Sequence, residues 1–242
     1  NKKDFFFNIY GDETLLTKKI KKYKITTNLY KIFHCSTVVS DEETPLTAIK
    51  NSKDSSMWNS INSQTIFNSN ITLSAGNTGV LFVVSRMLLK TIDSVSKPAL
   101  AGLWPNKKNM NVVLDLGANV ECDENNLVDF SEMGAALYKA LFPQDSPKVA
   151  LLNIGSEQIK GTETLKKAYA KLKDLSKYGD FQFDGFIEGN KITSGESNVI
   201  ITDGFTGNVA LKTAEGTAKF VTDSLKDSLS STLAAKFSIL FS

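Results

Sequence analysis

From residue 71 onward, short apolar runs of strand length alternate with stretches of helical periodicity, and loops rich in glycine and asparagine join the two. The runs occupy 71–73, 112–114, 149–152 and 199–202. Each opens into one such loop: Ser74-Ala75-Gly76-Asn77-Thr78-Gly79, Asp115-Leu116-Gly117-Ala118-Asn119, Asn153-Ile154-Gly155 continuing to Lys160-Gly161, and Asp203-Gly204-Phe205-Thr206-Gly207-Asn208. Helices are predicted after them over 80–90, 128–141, 163–175 and from 209 onward. Alternation of this kind implies an α/β fold with a largely parallel sheet and right-handed crossovers. In an open sheet of that type ligands gather at the carboxyl ends of the strands, where these loops belong.

The first part of the chain is more irregular. Residues 5–10 read as a strand closed by Gly11-Asp12-Glu13, and 14–23 as a helix whose lysines sit toward the C-terminal end, where the helix dipole favours them. A strand over 30–34 and a helical patch over 57–61 follow, with Pro45 placed in the first turn of a helix between them. The chain begins almost inside a strand and closes on Phe237-Ser238-Ile239-Leu240-Phe241, which reads as a piece of a longer protein. The expected organisation is one α/β domain over 1–242, incomplete at both ends, with 209–242 as a helical amphipathic extension. Its stripe of Phe220, Val221, Leu225, Leu229, Leu233 and Phe237 suits core, subunit or membrane-surface packing.

Composition excludes several functions. The 28 basic and 26 acidic residues leave a net charge of +2, which supplies no field for nucleic acid. Cys35 and Cys122 are the only cysteines, in no spacing that suits a disulfide framework or a zinc site, which points to a reducing cytoplasm and to no metal. No uncharged apolar run approaches the roughly 18 residues of a spanning helix.

The loops carry the chemistry. A glycine-bearing turn such as 74–79 that opens a helix presents unpaired N–H groups and the positive end of the helix dipole to an anion, with Ser74, Asn77 and Thr78 as added donors and Gly76 and Gly79 permitting close approach. It has neither the Lys-Ser/Thr ending of a nucleoside-triphosphate loop nor the G-x-G-x-x-G of a dinucleotide site. Asp115 and Asp203 stand at strand ends, where a carboxylate braces a loop or meets a ligand; Gly117, Asn119 and Gly204 share those turns. Lys160 offers either a fixed cation for phosphate or a solvated surface charge, and Asn208 either a donor to developing negative charge or a helix cap. His34 and Cys35 adjoin on a strand and so face opposite sides, which leaves His34 a structural residue.

These loops in this order, together with Gly185-Phe186-Ile187-Glu188-Gly189 and the continuation Val209-Ala210-Leu211-Lys212-Thr213 to Glu215-Gly216, closely resemble the bacterial phosphate acyltransferase family called PlsX, over nearly the whole chain. The resemblance implies a Rossmann-like three-layer fold akin to the isocitrate and isopropylmalate dehydrogenases, a homodimer, and a cytoplasmic enzyme peripherally associated with membrane lipid through amphipathic helices. It implies transfer of a fatty acyl group from acyl carrier protein to inorganic phosphate for phospholipid synthesis, without a cofactor. Lys160 and Asn208 match the family's catalytic lysine and asparagine, and Ser74, Gly76, Asn77, Thr78, Gly79, Asp115, Gly117, Asn119, Asp203 and Gly204 fall in its substrate-binding loops. Lys53 is retained from a more basic run before Ser55-Ser56-Met57. The family's Asp-Ala-Met-Gly-Gly-Asp loop and its closing Gly-rich segment are missing here, which puts the activity of this piece in question. An acidic carrier protein calls for a basic surface, for which Lys18, Lys19, Lys21, Lys22 and Lys24, or Lys107 and Lys108, are candidates. Two other readings stand beside this one: a nicotinamide-dependent dehydrogenase of related fold, and a non-catalytic carrier-protein or membrane-binding remnant.

Overall fold

The computed structural model describes residues 5–44, 47, 50 and 52–230. Pro45 and the stripe beyond Ser230 lie outside the described residues. The chain forms two compact units, Asn1–Pro98 and Ala99–Ser242.

In the first unit β1 (Phe7–Gly11) and β2 (Tyr30–His34) pair in parallel, Phe7 opposite Tyr30 and Gly11 opposite His34. The crossover between them contains α1 (Glu13–Lys22), which Asp12 caps by accepting from the Leu15 N–H at 2.8 Å. His34 is exposed while Cys35 is buried, as alternation along an extended chain requires. Two further helices, α2 (Ser56–Ile66) and α3 (Thr78–Leu89), bury Met57, Ile61, Val80 and Val84 against Val39.

The strand expected over 71–73 is absent. Ile71 and Leu73 project outward at 75% and 82% exposure, so the face they share meets no core. Thr72 instead anchors it to α2, its hydroxyl donating to the Ser60 carbonyl at 3.0 Å and accepting from Gln64 at 2.7 Å.

The second unit is built on a five-stranded sheet in the order β3-β4-β7-β5-β6. Its strands are β3 (Ala101–Pro105), β4 (Met110–Leu114), β5 (Lys148–Asn153), β6 (Gln182–Glu188) and β7 (Val199–Ile201). The last four run parallel, and β3 is an antiparallel edge. Both faces of the central strands are buried, which explains their continuous apolar runs. On one face Val112, Leu114, Val149, Leu151, Val199 and Ile201 pack against α4 (Glu124–Leu141) and α5 (Glu163–Leu175). On the other, Val113, Ala150, Leu152 and Ile200 meet Ile187, Ile192, Trp104 and Leu116.

Strand β3 has no counterpart in the sequence reading. It carries Gly102 and ends in Pro105, both tolerated at an edge, and a hairpin at Asn106 returns it to β4. The Asn106 side chain accepts from the N–H groups of Lys108 and Asn109, both at 2.7 Å. Helix α4 starts four residues before the expected 128, because Asp123 and Asn126 form a reciprocal capping box. Helix α6 spans Gly204–Ser230, so most of the expected loop at 203–208 belongs to its first turn. No helix among the described residues is long and apolar enough to cross a membrane.

Candidate active site

Asp115 follows β4 directly and is fully buried. Its Oδ1 accepts from the N–H groups of Leu100, Gly117 and Ala118 at 2.9–3.1 Å, and its Oδ2 from the Asn119 N–H at 2.7 Å and the Asn119 side-chain amide at 2.8 Å. Five donors occupy one carboxylate, so the side chain fixes the shape of the 115–119 turn from beneath. Of the two sequence readings of Asp115, geometry selects the bracing role, and Asn119 shares it.

Asp203 does for α6 what Asp115 does for its own turn. Its carboxylate accepts from the Thr206 N–H and the Thr206 hydroxyl, both at 2.8 Å, which makes it the cap. Asn208 therefore lies in the second turn of the helix rather than at its cap, and its side chain is exposed.

The two turns are locked backbone to backbone. Gly204 donates its N–H to the Asn119 carbonyl at 2.7 Å, and a Cβ on Gly207 would collide with the Asp115 carbonyl oxygen. Gly117, at φ +131°, lies under the Asn208 carboxamide: a Cβ there would sit 3.5 Å from Nδ2. Glycine at 117 is thus required by its backbone conformation, while a Cβ there would meet the amide only at ordinary van der Waals distance. Asn208 stands over Gly117, just past the carboxyl end of β4, without a hydrogen-bond partner for its amide among the described residues.

The third loop closes on Asn153, the last residue of β5. Asn153 Oδ1 accepts from the Ile154 N–H at 2.8 Å and Nδ2 donates to the Lys160 carbonyl at 3.2 Å, while Gly161 at φ +89° passes against this carboxamide with no room for a side chain. The main chain of Lys160 is fixed, and its side chain crosses Gly155 before reaching solvent. Among the described residues no carboxylate forms an ion pair with it.

A cavity of about 830 Å³ opens between these elements. Asn153, Gly161 and Asp203 from the loops line it, and the tips of α4, α5 and α6 contribute Leu127, Leu165, Val209 and Ala210. Lys160 and Asn208 are not part of its wall. The apolar lining was invisible to sequence reading because those leucines and valines fit the ordinary core stripe of their helices. At α4's start Glu124 is held below the usual carboxylate range by its own backbone N–H and by Lys171 and Lys167.

In the first unit, Asn77 caps α3 by accepting from the Val80 N–H at 3.1 Å, and its amide donates to the Asp41 and Glu43 carbonyls at 3.1 and 2.9 Å. Its side chain thus serves the fold, leaving backbone N–H groups and Thr78 as the loop's donors. Ser74 accepts from the Gly76 N–H at 3.2 Å, and Gly79 lies in the first turn of α3. A smaller cavity of about 420 Å³ is lined by Ser74, Ala75 and Gly76 together with Ser56 and Met57 of α2. Lys53 is exposed just before α2 and does not line that cavity.

A family described as "Fatty acid synthesis protein" matches residues 1–242. Among curated relatives, the phosphate acyltransferase of Pelagibacter ubique is 51% identical over 97% of this chain and 70% of its own length. That of Erythrobacter litoralis is 42% identical over 98% of this chain and 67% of its own. Among solved structures, the EutD phosphotransacetylase from Staphylococcus aureus superposes with a TM-score of 0.61 at 15% identity, covering 87% of this chain and 73% of that one. A phosphotransacetylase from Streptococcus pyogenes gives 0.59 at 13% identity, covering 88% and 82%. These structures share the α/β fold with this chain, whose sequence matches make it a member of the phosphate acyltransferase family, PlsX, that its ordered loops resemble.

Proposed function

We propose that this protein transfers a fatty acyl group from the thioester of acyl carrier protein to inorganic phosphate, releasing the carrier thiol and an acyl phosphate that serves phospholipid synthesis. The observation that carries the reading is the lock between the 115–119 turn and the start of α6, which presents the unpartnered Asn208 amide at a strand end in a chain of this family. A phosphate oxygen attacks the thioester carbonyl, the carbonyl oxygen gains negative charge, and the C–S bond breaks as the electron pair leaves with sulfur. The thiolate then takes the proton given up by phosphate. Phosphate is already an anionic nucleophile and a thiolate leaves readily, so positioning and charge stabilisation carry the catalysis.

Within the second unit the Asn208 amide donates to the oxyanion and the Lys160 ammonium binds phosphate. In the first unit the N–H groups that open α3, at Thr78 and Gly79, form an anion-binding helix end of that unit's own. A homodimer and peripheral contact with lipid belong to the same reading. Helix α6 supports them with exposed Phe205, Phe220, Val221 and Leu225. No observation favours the nicotinamide-dependent alternative.

The test is phosphate-dependent thiol release by the full-length protein. Asn208→Ala is expected to lower kcat about 10²–10³-fold, the usual cost of one oxyanion donor, with little change in KM for either substrate. A folded variant with near-wild-type kcat contradicts the assignment.

A further inference from the structure

The lining of the cavity of about 830 Å³ in the second unit separates into two chemical kinds. Leu127, Leu152, Ile154, Leu165, Ile192 and Val209 offer hydrocarbon surface, while Asn153, Thr162, Asp203 and Thr206 supply polar groups. No lysine or arginine lines it, and its two charged residues, Glu121 and Asp203, are acidic, so a phosphate dianion finds no counter-charge there. An apolar ligand does gain from it, since covering such surface removes it from water. The cavity's volume of about 830 Å³ is that of a small-molecule site.

We propose that this cavity receives the hydrocarbon of the acyl donor, and that Leu165 and Ala210 set the chain length it accepts. The inference rests on the acyl-transfer reading above and names where that substrate's tail lies. The wall behind Leu127 is rigid, because Leu127, at 2% exposure, is packed with fully buried Phe130 and Leu172. Leu165 packs against the same cluster as the adjoining wall. Ala210 is the smallest side chain of the α6 wall, so it leaves space that a larger residue removes. Each methylene buried there is worth about fourfold in the specificity constant.

The experiment measures kcat/KM with phosphate for butanoyl, octanoyl, dodecanoyl and hexadecanoyl thioesters of one small thiol, using the full-length protein. Small thioesters remove any contribution from carrier-protein docking. Ala210→Phe is expected to lower the ratio of hexadecanoyl to butanoyl turnover about tenfold or more, and Leu165→Ala to raise it. Cys122 also lines the cavity, whereas Cys35 is buried, so alkylation of Cys122 by a maleimide gives a readout independent of activity. The hexadecanoyl donor should slow that alkylation, and the butanoyl donor should not. Folded variants that keep the wild-type chain-length ratio, or a Cys122 that the long donor leaves unprotected, overturn the inference. Absence of acyl phosphate with every donor overturns the acyl-transfer reading itself.

Discussion

Gly207→Ala probes the lock between the two turns, and a second glycine in the same helix gives its control. In an exposed helical position alanine is favoured over glycine by about 1 kcal/mol. Gly216 has nothing within 4 Å of the place its Cβ would take, so Gly216→Ala should stabilise the protein by close to that amount. At Gly207 the added methyl meets the Asp115 carbonyl oxygen and lies 2.9 Å from Thr202 Cγ2.

That oxygen cannot turn aside. Asp115 donates its own N–H to the Thr202 carbonyl at 2.9 Å, and its carboxylate is held by five donors. The start of α6 must therefore lift away, breaking the Gly204-to-Asn119 hydrogen bond at a cost of about 1 kcal/mol, on top of about 1–3 kcal/mol of overpacking. Set against the gain in helix propensity, the net effect is a loss of about 1–3 kcal/mol. Urea unfolding of the two variants side by side measures it. Because Asn208 moves with the helix, Gly207→Ala should also reduce acyl phosphate formation by about 10²-fold, as a displacement near 1 Å does. If both alanine variants prove equally stabilising and equally active, the backbone lock does not exist.

Other substitutions test the remaining assignments. Lys160→Ala should raise the KM for phosphate about tenfold and weaken its dependence on ionic strength, checked by phosphate titrations at two salt concentrations. Asp115→Asn replaces an acceptor oxygen with an NH2 donor facing N–H groups, which it cannot serve, and should cost about 2–4 kcal/mol in urea unfolding, well beyond a surface charge change. The Tyr138 hydroxyl donates to Asp145 at 3.1 Å, and burial first, then Asp145, hold its phenol above the ordinary range. The folded state thus keeps the neutral phenol where the unfolded chain ionises. Stability from this group is full below about pH 10 and declines as pH rises through the raised value, a loss that Tyr138→Phe should flatten in midpoints taken across alkaline pH.

How much of this was legible in the sequence follows from burial. Strands β4, β5 and β7 are covered on both faces, so each appears as an uninterrupted apolar run. Edge strand β3, with its alternating exposure, its glycine and its proline, gives no such run. Ile71 and Leu73 have strand-like chemistry but no surface to pack on, and Thr72 ties the segment to α2 instead. Helix α6 starts before the expected 209, an expectation set by Gly204 and Gly207 as poor helix formers, and what selects glycine there is the backbone of a turn some ninety residues earlier in the chain. The loops are legible because they are local motifs, whereas the cavity they border is walled by Leu127, Leu165 and Val209 from three different helices, a juxtaposition that local spacing does not show.

The most direct test of the account is a single-turnover reaction of the full-length protein with an acyl thioester, followed by mass spectrometry of the protein and phosphorus NMR of the solution. Direct displacement predicts one acyl phosphate for each thiol released, no release without phosphate, and an unmodified protein mass throughout. Thiol release that proceeds without phosphate, or an acyl group carried on the protein itself, contradicts it.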